Sequence, residues 1–238
     1  MARNVSRRRF LRAGAAVAAT TVAATAARTS LAQGEQEARK LKIIAVACSP
    51  RQGKTTAAAL QVCLEAAKAV APERIEVELI ELAGLKIPAH LAVGLPLEPG
   101  EKDDFPLVAE KLGDRNVAGI IIGSPVYFCN MSALCKAFLD RCFSFRARKF
   151  ALANKIAGVV AVGGVRNGGQ ELTIQSIQAA LMCQEMLVVG DGRPTAHTGA
   201  TLWNSGKDDL SDDEFGLGTA KNLGRRVAEV ALNRATSA

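Results

Sequence analysis

From residue 39 onward, continuous apolar runs alternate with stretches in which apolar positions recur every three or four residues. Runs such as Ile43-Ile44-Ala45-Val46-Ala47 and Ile120-Ile121-Ile122 lack the polar alternation of a half-exposed strand. They suit strands covered on both faces by helices, as in a parallel sheet. The pattern predicts strands over 42–48, 76–82, 117–123, 156–163 and 186–189, and helices over 54–70, 105–112, 132–143, 170–181 and 215–232. No repeat, low-complexity tract or Gly/Ser linker interrupts them. This strict alternation gives an α/β, doubly wound fold in one domain. In such sheets ligands bind outside the carboxyl ends of the strands, where the strand order reverses.

Three loops lie at that edge. The first, Cys48-Ser49-Pro50-Arg51-Gln52-Gly53-Lys54-Thr55-Thr56, leads into a helix. Three hydroxyls, two cations and a glycine turn at a helix N-terminus make an anion site, because free backbone N–H groups and the helix dipole face the ligand. Gly53-Lys54-Thr55 is also the tail of the phosphate loop G-x-x-x-x-G-K-[ST], but Cys48 stands at the leading glycine. The strand that would end in a magnesium-binding Asp runs instead into Gly123-Ser124-Pro125. A nucleotide hydrolase is therefore the weaker reading. The second loop, from Gly123 to Ser132, holds the single Tyr of the chain, Tyr127, beside Phe128 and Asn130. Aromatic faces and an amide there suit a flat heteroaromatic ring. The third, Gly163-Gly164-Val165-Arg166-Asn167-Gly168-Gly169-Gln170, lets backbone approach a ligand where side chains would collide.

Charge and composition narrow the partners. The 238-residue chain is 49% hydrophobic and 4% aromatic, with a formal charge of +7. Six arginines and no acids fall in residues 1–32, which leaves 24 basic against 23 acidic side chains in a nearly neutral body. That body, poor in aromatic residues, gives no platform for nucleic acid. Residues 1–32 combine a basic start, an apolar stretch over 13–27 and a small-residue site at Ser30-Leu31-Ala32, the organisation of a removable export signal. Ser6-Arg7-Arg8-Arg9-Phe10-Leu11-Arg12 resembles the twin-arginine (Tat) pattern S-R-R-x-F-L-K. The expected partner is the Tat translocon and the expected location the periplasm, with membrane anchoring if the signal stays uncleaved. The mature domain is then 33–238. Cys48, Cys63, Cys129, Cys135, Cys142 and Cys183 lie in apolar patterns without a C-x-x-C pair, and they are expected to be buried free thiols.

Ser49-Pro50-Arg51 with Gly53 and Thr56, Gly123-Ser124-Pro125-Val126-Tyr127-Phe128 with Asn130-Met131-Ser132, and Gly163-Gly164 with Gly168-Gly169-Gln170-Glu171 together resemble the NADPH-dependent FMN reductase and iron-sulfur flavoprotein group. The resemblance spans residues 41–234. It implies a flavodoxin-like, three-layer α/β/α fold with a five-stranded parallel sheet in the order 2-1-3-4-5. It also implies that Ser49, Arg51, Gly53, Thr55 and Thr56 hold the phosphate of FMN, that Pro125, Val126, Tyr127, Phe128, Asn130 and Met131 line the isoalloxazine, and that Gly164, Gly168 and Gly169 close over its other side. Arg166 is the candidate for tuning the flavin or meeting a nicotinamide-cofactor phosphate, since cationic charge favours an anionic ring. The implied protein is a homodimer or homotetramer that passes hydride or electrons from NAD(P)H to a small-molecule acceptor such as a flavin or quinone. A flavodoxin-like electron carrier without its own substrate is the competing class.

The chain departs from the group in one place. Iron-sulfur flavoproteins carry P-C-x-x-C-x-x-C after strand two, and this chain reads Pro88-Ala89-His90-Leu91-Ala92-Val93-Gly94-Leu95. A [4Fe-4S] cluster needs four thiolates within reach, so no iron-sulfur centre is expected. The Pro- and Gly-rich segment 85–102 is a candidate lid or subunit contact. Trp203 is read as pinning a long loop, His90 and His197 as loop residues without a nucleophile to serve, and Asp208, Asp209, Asp212, Asp213 and Glu214 as a solvated acidic run.

Overall fold

A computed structural model describes residues 40–237. The twin-arginine signal and its cleavage site lie outside the described residues. The elements run β1 (Leu41–Ala47), α1 (Thr55–Val70), β2 (Ile75–Glu81), a 3-10 turn (Ala89–Val93), α2 (Phe105–Gly113), β3 (Val117–Tyr127), β4 (Asn130–Met131), α3 (Ala133–Arg141), a short α4 (Ser144–Ala147), β5 (Ile156–Gly163), α5 (Gln170–Met182), β6 (Leu187–Val188), β7 (Ala200–Trp203) and α6 (Glu214–Ser237). The sheet order is β2-β1-β3-β5-β6, all parallel, with β7 also on β5. This is the expected flavodoxin-like arrangement of five positions, the last filled by two short strands.

Successive residues of a strand point to opposite faces, and the core follows that rule. Ile44 and Val46 pack on one side with Phe105, Phe138 and Phe145. Ile43 and Ala45 pack on the other with Leu60, Leu223 and Val227. On this second side α1 and α6 cross closely at Gly224, where an added Cβ would collide with the Cys63 carbonyl. Gly119 and Gly158 likewise leave room for the Val227 side chain against the sheet. Because β1, β3 and β5 are in register, with Ala47 opposite Gly123 and Pro125 opposite Val162, their carboxyl ends finish side by side.

Two expectations need correction. The strand expected over 186–189 is only Leu187–Val188, which pairs with Ile156 and Ala157. The outer position resumes as Ala200–Trp203, paired with Val160–Gly163. Trp203 is thus a strand residue; the turn formers Gly199, Asn204, Ser205 and Gly206 around four alternating residues had hidden the strand. The intervening turn is organised by fully buried Asp191, which accepts hydrogen bonds from Thr195 Oγ1 and the His197 backbone N–H, with His197 Nδ1 at 3.3 Å. Cysteine burial is the second correction. Cys48, Cys63, Cys135 and Cys142 are buried, whereas Cys129 and Cys183 are exposed, and all six are free. Burial pushes Cys63 up to about 12 and Cys48 well above the ordinary thiol value, the latter helped by neighbouring Cys135.

The segment 82–104 is tied down by one cation. Arg141 donates to both oxygens of Asp103, at 2.9 and 2.7 Å, and to the Pro88 carbonyl at 3.2 Å, with its guanidinium 4.7 Å from the Phe105 ring centre. Both side chains are about nine-tenths buried, at 10% and 12% exposure. Burial alone would raise the Asp103 carboxyl; hydrogen bonds from Arg141 and the Phe105 N–H, with the Arg141 charge, hold it below the usual carboxylate range. Lys86 and Asp104 close the neck of the segment, the Asp104 N–H donating to the Lys86 carbonyl and the Lys86 N–H to the Asp104 carboxylate, each at 2.8 Å.

A depressed folded-state pKa stabilises the fold above the unfolded value, about 3.9 for Asp, and that contribution fades as pH falls through the lower folded value. Arg141→Met therefore costs about 2 kcal/mol at pH 7, because it strands a buried carboxylate. In urea titrations the gap from the parent narrows below about pH 4; a gap that is constant with pH contradicts the pair's role. In native thiol titration Cys129 and Cys183 react at once and the other four cysteines only after denaturation; fast reaction of Cys63 or Cys142 contradicts the described core.

Candidate functional site

Loop one already behaves as an anion receptor. The helix α1 starts without a side-chain cap hydrogen bond, so its first N–H groups face outward from the edge of the sheet. Gly53 takes φ +65 and has open space where a Cβ would project. Its N–H donates to the Glu81 carboxylate at 2.7 Å. Arg51 is gripped at both ends by Asp208, with two contacts of 2.8 Å, and Lys54 approaches the same carboxylate at 3.5 Å. Ser49 accepts from the Arg51 N–H and shapes the turn. Ser49, Thr55 and Thr56 are buried beneath the loop.

Loop two is a hairpin rather than an open loop. β3 continues to Tyr127, turns through Phe128 and Cys129 at φ +50 and +60, and returns as β4, with Val126 opposite Met131 and Tyr127 opposite Asn130. Two left-handed residues are what a two-residue hairpin turn of this hand requires, and Gly or Asn normally supply them. A Phe and a Cys there carry backbone strain, on the order of 1–3 kcal/mol each. Phe128 is fully exposed at the tip and Tyr127 is 43% exposed beside it. Ser132 begins α3 as its N-cap, accepting from Cys135 N, and its hydroxyl donates to the Cys48 carbonyl at 2.6 Å. That bond ties loop two to loop one.

Loop three meets the hairpin from the other side. Gly169, at φ +99, lies so close to Cys129 that a Cβ would come within 2.7–2.8 Å of its atoms. Gln170 is buried and clamps the loop, donating to the Val165 and Leu202 carbonyls and accepting from Gly168 N. Gly164 opens onto free space. Arg166 reaches the buried carboxylate of Asp213 and lies 5.4 Å from the Trp203 ring centre.

The structure therefore brings together Ser49, Arg51, Gly53, Thr55, Thr56, Tyr127, Gly164, Arg166, Gly168 and Gly169 at one edge of the sheet. Phe128, Cys129 and Asn130 project from its rim. Pro125 is buried within β3, and Met131 and Val126 pack against the core, so these three contribute backbone and support more than open surface. The acidic run is the chief surprise. Asp208 closes on the cations of loop one, held below the ordinary carboxylate range by the hydrogen bond and charge of Arg51. Asp213 is buried, accepts from the Trp203 and Gly216 backbone N–H groups and starts α6. No local pattern joins Arg51 to Asp208, 157 residues apart, or Arg166 to Asp213, 47 apart.

FMN fits these residues. At loop one the Gly53 N–H already holds the Glu81 carboxylate, and Arg51 and Lys54 hold that of Asp208, so its donors take up anionic oxygens. The segment bearing Asp208 also holds two buried polar atoms without a partner among the described residues, Trp203 Nε1 and Ser205 Oγ. Buried polar groups of this kind are ordinarily satisfied by water or a bound molecule. No cluster of three or more His, Cys, Asp or Glu side chains is placed to hold a metal ion among the described residues.

Comparison with known proteins agrees with this geometry. The family model for NADPH-dependent FMN reductase matches residues 41–201. An iron-sulfur flavoprotein of Methanocaldococcus jannaschii is 42% identical over 194 residues, covering 80% of this chain and 97% of its own. An NAD(P)H dehydrogenase (quinone) of Paracoccus denitrificans is 32% identical, over 61% of this chain and 77% of its own. Among solved structures, a WrbA-like flavodoxin from Agrobacterium tumefaciens superposes with a TM-score of 0.55 at 20% identity, over 82% and 99% of the two chains. With the fold, the loops and the matches in agreement, the chain belongs to the NADPH-dependent FMN reductase family of flavodoxin-like, FMN-dependent oxidoreductases.

Proposed function

We propose that this protein is an exported NAD(P)H-dependent flavin or quinone reductase that works through FMN held at the three loops. The observation that carries the reading is the position of Arg51 at the start of α1, where its guanidinium meets the Asp208 carboxylate through two contacts of 2.8 Å. The Ser132–Cys48 bond ties this anion position to the hairpin that carries exposed Tyr127 and Phe128, so the edge offers both chemical halves of FMN a partner. Ser49, Arg51, Gly53, Thr55 and Thr56 would hold the phosphate, each charge-assisted bond worth about 1.5–3 kcal/mol. Tyr127, Phe128 and Asn130 would border the ring, Pro125, Val126 and Met131 would support that border from within the hairpin, and Gly164, Gly168 and Gly169 would cover the other side. Bound FMN accepts and passes on hydride or single electrons; the protein positions and tunes it.

The residues of the chain have physical tasks. Arg51 and Lys54 neutralise the phosphate. Tyr127 and Phe128 exclude water from one side of the ring. Arg166, oriented by Asp213 and Trp203, places positive charge beside it and stabilises negative charge there. Residues 1–32 direct the chain to the Tat translocon and the periplasm, and the protein assembles as a homodimer or homotetramer. The absence of cysteines at positions 89, 92 and 95 supports a flavin centre that works without an iron-sulfur cluster.

Removing a phosphate ligand and removing its competitor act in opposite directions. In FMN titrations Arg51→Ala weakens binding by roughly 10- to 100-fold, and Asp208→Asn tightens it several-fold by freeing Arg51; the reverse order contradicts the assigned anion position. Arg166→Ala keeps its yellow colour but raises the KM for NAD(P)H or lowers the flavin potential, and unchanged kinetics with an unchanged potential remove Arg166 from the mechanism. Steady turnover of NAD(P)H with a quinone or free flavin identifies a reductase; FMN that is bound yet never reduced by NAD(P)H identifies an electron carrier.

A further inference from the structure

The amino edge of the sheet, opposite the three loops, carries a basic corner that the flavin reading does not use. From Arg141 to Lys155 the chain holds five cations and no acid. Two of the five turn inward: Arg141 pairs with Asp103, and Lys155 Nζ donates to the Asp114 and Val117 carbonyls at 2.8 and 2.7 Å. Arg146, Arg148 and Lys149 are exposed, and no ion pair is found for them among the described residues. The fold fixes this arrangement. Phe145 and Leu152 are buried in the core and the Ala151 N–H donates to the Phe145 carbonyl at 3.1 Å, so residues 146–150 form a closed bulge between them. Lys149 and Phe150 take left-handed backbone there, at φ +55 and +54, which neither residue type favours.

Two aromatic rings frame the cations. Phe143 is 56% exposed at one end of the bulge, and at the other the half-buried Phe150 ring lies 5.1 Å from the Arg146 guanidinium. Arg115 and Arg234 line the adjoining hollow with Ala151, Ala153 and Asn154 and extend the positive charge. Exposed Glu185, whose carbonyl accepts from the Asn154 N–H, offsets part of it, while nearby Asp140 is engaged by Lys136. Cations alone suit any polyanion, but an exposed ring among them selects an interface: the ring enters the boundary of the headgroups and acyl chains, and the cations meet lipid phosphates. Position supports the same partner. Ile43, Gly119 and Ile156 stand level in parallel strands, so the chain joins the domain at Leu41 on the edge from which β5 rises after this corner. The residues that precede Leu41 include the apolar stretch 13–27. No described helix is long and apolar enough to cross a membrane, so the contact available to the described domain is with its surface. The functional loops lie at the far ends of the strands, about 25 Å away along the eight residues of β5.

We propose that the corner 143–150 docks the domain on an anionic phospholipid surface, with Phe143 among the headgroups, Arg146, Arg148 and Lys149 on lipid phosphates, and the three loops turned toward water. The docking does not rest on the flavin reading.

The test uses the full chain carrying Phe143→Trp, which places an indole at the docking ring; the native Trp203, at the opposite edge, is the reference in the parent. Vesicles of phosphatidylcholine mixed with phosphatidylglycerol should shift the added emission to shorter wavelength, and brominated lipid should quench it. Vesicles of phosphatidylcholine alone should do neither. Adding Arg146→Ala/Arg148→Ala/Lys149→Ala should raise the lipid concentration needed for the response at least about tenfold. If the tryptophan variant does not fold, hydrogen exchange of the parent decides, with slowed exchange over 143–150 on the anionic vesicles as the expected result and unchanged exchange there as the contrary one. An equal response without the three cations, or on phosphatidylcholine alone, overturns the proposal. So does sedimentation with vesicles while the added emission stays unmoved, which assigns attachment to residues 1–32. A response to an oligonucleotide or an acidic peptide with none to vesicles also overturns it and assigns the corner to a soluble polyanion.

Discussion

A helix start with nothing of its own to cap it is the constraint around which the functional edge is arranged. The first N–H groups of α1 need partners, and in-register packing of β1, β3 and β5 brings three loops to that place. Two carboxylates from distant parts of the chain bind loop one, Glu81 at the Gly53 N–H and Asp208 at Arg51 and Lys54. Their presence reflects local electrostatics, since an uncapped helix terminus flanked by Arg51 and Lys54 attracts negative charge wherever it can be found. A phosphate dianion meets that demand better than either carboxylate. On the proposed reading, cofactor binding and rearrangement of the 204–212 segment are linked, because Asp208 and the phosphate would compete for one guanidinium.

Much of this was legible in the sequence. Continuous apolar runs identified the central strands because both of their faces are buried, and helical periodicity identified the layers that cover them. The motif at Ser49 to Thr56 stood out because so many hydroxyls and cations before one helix exceed what a cap needs, and in the structure its cations hold a carboxylate. What stayed hidden depends on distance along the chain. Arg51 and Asp208 are 157 residues apart, and Arg166 and Asp213 are 47 apart; neither pair has a local pattern. The acidic run looked solvated because a string of Asp residues before a helix ordinarily is. The hairpin after Tyr127 was missed because its turn uses Phe128 and Cys129 where glycine or asparagine would have signalled it. Strand β7 was missed because four residues between turn formers are too few to show a period.

The segment after β2 shows how a shared fold changes its contents. Relatives named as iron-sulfur flavoproteins align along nearly their whole length, yet this chain places alanine, alanine and leucine at 89, 92 and 95. The segment is still firmly anchored, through Arg141 to Asp103 and Pro88, without thiolates to organise it. Its shape comes from a buried ion pair and backbone bonds at the neck, and the space beneath it is apolar. The cysteines that the chain does have serve elsewhere, four of them as small buried core residues and two at the surface.

The most direct test compares FMN with riboflavin, which differ only in the phosphate. If the ligand is anchored where Arg51, Gly53 and the start of α1 converge, the FMN-free protein binds FMN at least about 100-fold more tightly than riboflavin, two or more charge-assisted bonds at about 1.5–3 kcal/mol each. That preference should collapse in Arg51→Ala. Equal affinity for the two compounds in the parent protein would contradict the account at its centre.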